Sequence, residues 1–339
     1  MIDGVPNHAP VLCPEMLVAM APMAGETYVD GTLGAGGYTR ALLDAAPCRV
    51  IGLDRDPDAV AAARDWGGAY KDRLDIVETP FSALAAALDG LGAPLVDGVV
   101  LDIGVSSMQL DQEARGFSFM RDGPLSMRMD QGAPTAADIV NGAEASDLAA
   151  IFRIYGEEKR AGALAKAIVK ARATEPIAST GQLAEIIVAA APPGPPAKIH
   201  PATRVFQALR IYVNDELGEL ARALFAIEER LRPNGRLAIV TFHSLEDRIV
   251  KRFLADRAQD PATTGSRHAP PAPSIAPAFS LRGKPITPNT EEIARNPRAR
   301  SAKLRVALRT DAPARGGDPS VYAPTARLSK EYRSAPGVH

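Results

Sequence analysis

The sequence predicts an α/β protein in which a mostly parallel sheet is interrupted by an inserted all-helical domain. Three observations carry that prediction. The first hundred residues alternate strand-like and helix-like runs. A glycine-dense turn, VDGTLGAGGYTR (29–40), follows the first strand. From about residue 110 to 200 the strand rhythm stops while helical periodicity continues. Strands spaced by helices make βαβ units, whose crossovers force neighbouring strands parallel.

TYVDG (27–31) is a short apolar strand ending in an acid, and YTRALLDAA after the glycines is helical. RVIGLDRD (49–56) is a second strand. The helix PDAVAAARDW then has Pro57 in its first turn, where a missing N–H costs nothing. LDIVETPF (74–81) and VDGVVLDIG (96–104) are further strands flanking the helix SALAAALDG. A run such as GVVLDI lacks alternation, which suits a sheet covered on both faces. SDLAAIFRIYG (146–156) and EEKRAGALAKAIVKARA (157–173) have helical apolar spacing. STGQLAEIIVAAAPP opens on a capping box, Ser179 with Gln182, and stops at Pro192. A helical run over 203–231, the turn RPNG, a fifth strand GRLAIVTF (235–242) and a late strand SAKLRVALR (301–309) complete the pattern. The expected segmentation is an α/β domain over 1–110 and 203–310, a helical insertion over 111–202, a long Pro/Ala-rich loop over 258–280 and a disordered tail over 311–339.

With 339 residues, 46% of them hydrophobic and 23% charged, the chain can bury a substantial core. No run nears the roughly 20 apolar residues of a membrane helix, and the N-terminus lacks a signal-peptide pattern. Cys13 and Cys48 are the only cysteines and have no metal-type spacing, so neither a disulfide framework nor a metal site is expected. A reducing cytoplasm fits. The net charge of −1 says nothing about partners, but residues 281–309 hold eight basic side chains against Glu291 and Glu292. A segment so biased suits phosphate.

The glycine loop narrows the ligand. A P-loop requires Lys-Ser/Thr after its last glycine, and none follows Gly36 or Gly37. The dinucleotide fingerprint, aligned on Gly34 and Gly36, calls for glycine or alanine at position 39, where Thr39 stands. Asp54, eighteen residues after Gly36, is placed to accept hydrogen bonds from ribose hydroxyls, a need shared by NAD and S-adenosylmethionine. Asp30 and Asp102 end the first and fourth strands. Carboxylates there repel a pyrophosphate and attract the sulfonium and ammonium of S-adenosylmethionine. The charges favour S-adenosylmethionine, with a NAD-linked oxidoreductase as the alternative.

Longer strings are more specific. HAPVL (8–12), YVDGTLGAGGYT, GLDRDPDA, LDIGVSSMQLD with RGFSFMRDGPLSMRMD (101–130), RVFQALRIYVNDEL (204–217), TFHSLEDRIVKRF (241–253) and NPRARSAKLR (296–305) occur in that order. This series resembles the bacterial 16S rRNA cytosine-N4 methyltransferase family, the RsmH or MraW type, from His8 to Arg309. The resemblance implies a Rossmann-like S-adenosylmethionine-dependent methyltransferase domain with a helical insertion. It also implies methyl transfer to the exocyclic amine of a cytidine in the decoding region. The implied partner is 16S rRNA within the small subunit or its precursor, with no membrane, and a homodimer is compatible with it. Cofactor contacts carried over by position are Gly36, Gly37, Tyr38, Asp54, Phe81, Asp102 and Gln109. Tyr38 departs from the family's usual His. A non-catalytic RNA-binding assembly factor of the same fold is the rival from another class.

Transfer of a methyl group from sulfonium is an in-line displacement, so catalysis is mostly alignment. The cytosine amine is a weak nucleophile, and an acceptor on its N–H localises the lone pair and steadies the developing charge. Backbone carbonyls and Ser106 or Ser107 in LDIGVSS are candidates, as is His243 at the end of the fifth strand; Ser106 and His243 are the catalytic candidates by number. His8 is a weaker one. Reaching the amine requires an unstacked base. Basic residues of 153–172, among them Arg153, Lys159, Arg160, Lys166, Lys170 and Arg172, are a second candidate RNA surface beside 281–309.

Overall fold

The computed structural model describes residues 10–130, 132, 134–191, 199–259, 274–326 and 328–329. In chain order its elements are α1 (Cys13–Met20), β1 (Thr27–Asp30), α2 (Gly37–Ala45), β2 (Arg49–Asp54), α3 (Pro57–Gly67), β3 (Leu74–Glu78), α4 (Leu84–Gly90) and β4 (Val96–Asp102). Helices α5 (Ser107–Asp111), α6 (Ala136–Gly142), α7 (Ala145–Tyr155), α8 (Ala161–Arg172), α9 (Thr180–Ala189), α10 (Thr203–Val213) and α11 (Glu216–Arg230) follow. Then come β5 (Leu231–Thr241), α12 (Ser244–Ala258), β6 (Phe279–Leu281), α13 (Thr290–Arg295) and β7 (Lys303–Arg309). Among the described residues no helix is long and apolar enough to cross a membrane.

The chain divides into two compact units. One comprises 1–104 and 218–323, the other 105–217 and 324–339. The first holds a seven-stranded sheet in the order β3-β2-β1-β4-β5-β7-β6. β1 to β5 pair in parallel, whereas β7 runs antiparallel to β5 and β6. Strand order reverses at β1, whose neighbours are β2 and β4, and such a switch point opens a crevice beyond the strands' carboxyl ends. Val29, Val50, Val99, Val100 and Ile239 are fully buried, as apolar runs in a two-sided sheet require. The expected turn RPNG is a bulge inside β5. Leu231 faces Val96, but Arg236 already faces Gly98, and Asn234 takes a φ of 65°.

The second unit is helical. α7 packs on α8 and α10, and α8 on α9. Ser179 and Gln182 close their capping box at the start of α9. The expected insertion of 111–202 differs from this unit, which runs from Val105 to Leu217 because α10 packs against α6 and α7. The helical run of 203–231 breaks at Asn214 and Asp215, the latter with a φ of 46°. The Asn214 amide donates to the Met127 carbonyl (2.8 Å) and accepts from the Met129 N–H (2.9 Å), using polar capacity that an unbroken helix would leave unspent.

Two expectations about irregular segments need correction. Within the Pro/Ala-rich 258–280, Phe279–Leu281 forms an edge strand on β7; residues 260–273 lie outside the described ones. The tail expected to be disordered is tied down as far as Ser329. In the sheet unit, Arg315 donates to the carbonyls of Asp256 and Gln259, both at 2.7 Å, and Tyr322 packs against Phe225 and Phe253. In the helical unit, the Ser329 amide and hydroxyl donate to Asp147 at 2.8 and 2.7 Å. A polar composition underrates a segment anchored by one arginine and one aromatic ring.

Candidate functional site

The glycine loop leaves β1 at Asp30, a carboxylate only 1% exposed. Asp30 accepts from the Thr32 amide (3.2 Å), the Thr39 amide (3.1 Å) and the Thr39 hydroxyl (2.8 Å), so it holds both ends of the loop. Thr39, the residue that breaks the dinucleotide fingerprint, is therefore a buried partner of Asp30. Asp54, ending β2, accepts from the Gly34 amide through Oδ2 (2.8 Å) and from the Asp56 amide through Oδ1 (2.9 Å). The Asp102 amide, ending β4, donates to the Thr32 hydroxyl (2.6 Å). Thus Asp30 and Asp102 sit at the two strands of the switch point, joined through Thr32, and Asp54 sits one strand away.

Close approach explains the glycines. Gly36 caps α2 with a φ of 77°, and a Cβ there would lie 2.0 Å from the Trp66 ring. A Cβ on Gly37 would meet Pro10 at 2.8 Å. Phe81 opens a short 3₁₀ turn, and its Cβ lies 3.2 Å from where a Gly31 Cβ would stand, which places it against the start of the loop.

The electrostatics are those of a group of buried carboxylates. Burial pushes the Asp30 carboxyl up to about 6, and the neighbouring Asp54 charge adds to the effect. Burial likewise raises Asp54. Asp102 is held well above the usual carboxylate range, first by burial and then by the charges of Asp30 and Glu246. Its Oδ1 is buried with no hydrogen-bond partner. An orphaned carboxylate oxygen beside two further acids fits a cationic ligand and not a pyrophosphate.

Tyr38, expected as a cofactor contact, has a buried side chain. Its ring is 3% exposed, and its hydroxyl donates to the Val11 carbonyl, so it pins the N-terminal segment to α2. The same segment is held from the other side, where the Leu12 amide donates to Glu292 (2.7 Å). His243 is the cap of α12. Its Nδ1 accepts from the Glu246 amide at 3.4 Å, and Glu246 Oε2 accepts from the amides of Phe242 (2.8 Å) and His243 (3.1 Å). Ser106 and Gln109 belong to the helical unit and form a capping box at α5: the Ser106 Oγ accepts from the Gln109 amide (3.2 Å), and the Gln109 Oε1 accepts from the Ser106 amide (3.1 Å). His8 lies outside the described residues.

The basic segments sort by exposure. Arg282, Lys284, Arg295 and Arg300 are exposed, while Lys303 and Arg305 pair with Asp247 at 3.0 and 2.8 Å, and Arg309 is buried. In the helical unit, Arg153, Lys159, Lys166 and Lys170 are exposed, but Arg160 donates to the Ala190 carbonyl and Arg172 to those of Val140 and Ala143. Sequence reasoning missed Thr32, Trp66 and the pairing of Thr39 with Asp30. Trp66 carried one signal, as the sole tryptophan of the chain at the end of the helix after Asp54.

Residues 6–310 match the model of the MraW methylase family. A protein of Mesorhizobium japonicum named ribosomal RNA small subunit methyltransferase H is 55% identical over 321 residues, covering 95% of this chain and 93% of its own. One of the same name from Maricaulis maris is 54% identical, covering 96% and 98%. Among solved structures, an rRNA methylase from Streptococcus thermophilus aligns over 92% of this chain and 100% of its own, with a TM-score of 0.38 and 10% identity.

Proposed function

Because the chain belongs to the MraW methylase family, we propose that it methylates the exocyclic N4 of a cytidine in the decoding region of 16S rRNA, in the cytoplasm. The cofactor is S-adenosylmethionine, which supplies an electrophilic methyl group on a sulfonium. One observation carries the assignment of its site: three carboxylates, Asp30, Asp54 and Asp102, end β1, β2 and β4 around a glycine loop, and Asp102 Oδ1 has no partner.

Roles follow from what each group still offers. Asp54, which accepts from the amides of Gly34 and Asp56 and is also bonded by the Arg55 backbone, takes the ribose hydroxyls with its remaining acceptor capacity. Asp102 Oδ1 takes the ligand's ammonium. Gly36 and Gly37 let the loop backbone pack closely against Trp66 and Pro10 and so reach the cofactor as bare backbone, and Phe81 flanks the adenine. With the donor fixed in this way, rate comes mainly from holding nitrogen, methyl and sulfur in line. The carbonyls after β4 accept from the amine. Ser106 and His243 fix the starts of α5 and α12, and we assign them as positioning residues. We place rRNA phosphates on the exposed residues Arg282, Lys284, Arg295 and Arg300, and on the exposed basic residues of α7 and α8, the helical unit serving substrate recognition.

The test is transfer of a labelled methyl group from S-adenosylmethionine to small ribosomal subunits lacking this modification, followed by nucleoside digestion and mass spectrometry. N4-methylated cytidine is the expected product. Label on another nucleoside overturns the substrate assignment. Thermal stabilisation by NADH but not by S-adenosylmethionine overturns the cofactor site.

A further inference from the structure

The outer side of the glycine loop carries a group of side chains with no part in the roles above. Trp66, in the last turn of α3, lays its ring against Gly36, where a Cβ would lie 2.0 Å from Cζ2 and 2.7 Å from Cη2. Arg40, one turn into α2, stacks its guanidinium over that ring at 4.6 Å from the centroid. The same guanidinium donates through Nη2 to the Ala35 carbonyl at 2.7 Å. Tyr70 meets Trp66 edge-on, ring centroids 6.0 Å apart, and its hydroxyl donates to Asp44 at 3.0 Å. Arg73 continues the series, donating to the Leu43 and Ala46 carbonyls.

The Ala35–Gly36 peptide is thereby held on two sides. Its carbonyl oxygen is fixed by Arg40, and the Cα of Gly36 rests on Trp66. Inside the loop, the Gly36 amide donates to the Leu33 carbonyl at 2.6 Å, the Gly34 amide is fixed by Asp54, and Thr32 is fixed by Asp30. Ala35 and Gly36 thus lie between the carboxylate anchors and α2, and the tryptophan–arginine pair is what meets them from outside. Gly36 has a φ of 77°, a conformation with little local preference to keep it in place, because glycine reaches many others at little cost.

We infer that Trp66 and Arg40 form a clasp over the Ala35–Gly36 peptide and are positioning residues for S-adenosylmethionine binding. The inference rests on the assignment of the glycine loop as the cofactor's cradle. The clasp acts before the ligand arrives: a loop already held in its binding shape loses less conformational entropy on binding. Its effect falls on cofactor affinity and leaves both the in-line chemistry and the RNA contacts alone.

The test measures S-adenosylmethionine and S-adenosylhomocysteine affinities by calorimetry on the full chain and on Trp66→Leu, Trp66→Phe and Arg40→Ala, with melting temperatures and steady-state kinetics on undermethylated small subunits. Trp66→Leu keeps apolar volume but loses the flat face, and Arg40→Ala removes the cation and the bond to Ala35. Each is expected to raise both dissociation constants about tenfold, with kcat at saturating cofactor and the KM for subunits within about twofold of wild type. Trp66→Phe restores a flat ring and brings affinity back to within about threefold of wild type. A lowered melting temperature with unchanged cofactor affinity in Trp66→Leu would make Trp66 a packing residue and overturn the inference. If Trp66→Leu does not fold, Arg40→Ala decides: unchanged affinity there overturns the clasp as well. Wild-type protein that binds neither ligand overturns the underlying cofactor assignment instead, so the two failures are told apart.

Discussion

Asp54 at the end of β2 and Gly34 in the glycine loop are joined by a 2.8 Å hydrogen bond from the glycine amide to the carboxylate. One side chain therefore shapes the loop and, in the assignment proposed above, also takes the ribose. Asp54→Ala removes both functions, whereas Asp54→Asn keeps an acceptor for one of them. Calorimetric titration with S-adenosylmethionine is expected to show a loss of about 1–3 kcal/mol for Asp54→Ala and a smaller loss for Asp54→Asn. Equal affinities for all three proteins would remove Asp54 from the cradle.

Tyr38→Phe should separate the loop's framework from its ligand contacts. Burial holds the phenol well above its ordinary titration range, so Tyr38 is a neutral donor to the Val11 carbonyl at any working pH. Deleting the hydroxyl strands that carbonyl and is expected to cost about 1–2 kcal/mol in denaturant unfolding, with cofactor affinity nearly unchanged. A large loss of cofactor affinity with no loss of stability would return Tyr38 to the ligand-contact role implied by its position in the family.

The strands, most helices and the acids at the strand ends were legible because each rests on short-range chemistry: apolar runs, caps, and a carboxylate where a parallel strand stops. Thr39 shows what was not legible. Its partner Asp30 lies nine residues back, on another element, and only the closed loop brings them together. Tyr38 was read from its place in the motif, but the bond from α2 to Val11 is a tertiary fact that no spacing reveals. Likewise Ser106 and His243 have the composition of catalytic groups and the local geometry of helix caps; Ser/Thr/Asn/Asp preferences at caps give no warning of a histidine there.

Cofactor affinity should depend on pH with a definite sign. Burial raises Asp30 to about 6 and raises Asp54 and Asp102 in the same direction. A cationic ligand favours the ionised carboxylates, so binding expels protons, and affinity improves as pH rises through about 6. We expect S-adenosylmethionine to bind about tenfold more tightly at pH 7.5 than at pH 5.5, with a smaller change for S-adenosylhomocysteine, which lacks the sulfonium charge. Calorimetry in buffers of different ionisation enthalpy reads the proton release directly. A flat profile would mean that the carboxylates do not face the ligand's charge.

The exposed and buried members of the basic 281–309 segment should behave oppositely. Arg295→Glu with Arg300→Glu changes exposed side chains and is expected to weaken binding to small subunits several-fold, reduce its salt dependence and leave the melting temperature unchanged. Arg309 donates to the carbonyls of Glu228 (2.9 Å) and Ala278 (3.0 Å) from a buried position. Arg309→Met should lower stability and leave the salt slope alone. Equal subunit binding by the double charge reversal and wild type would exclude this face from the RNA interface.

Arg257 makes the clearest stability prediction. Its guanidinium donates to Glu228 (3.0 Å), the Tyr322 hydroxyl (3.0 Å) and the Gly316 carbonyl (2.7 Å), and it lies 5.0 and 4.9 Å from the ring centroids of Phe225 and Phe253. Glu228 is 1% exposed, so Arg257→Ala leaves a buried carboxylate without its cation and opens the anchor of the C-terminal segment. The expected cost is about 3–5 kcal/mol in unfolding free energy. Replacing both partners, Arg257→Met with Glu228→Gln, should cost less than Arg257→Ala, because the buried Glu228 carboxylate is then not left without Arg257. Arg257 lies about 20 Å along α12 from His243, so cofactor affinity in the folded fraction should be unchanged. A double variant no more stable than Arg257→Ala would show that a stranded Glu228 charge is not what destabilises the single variant.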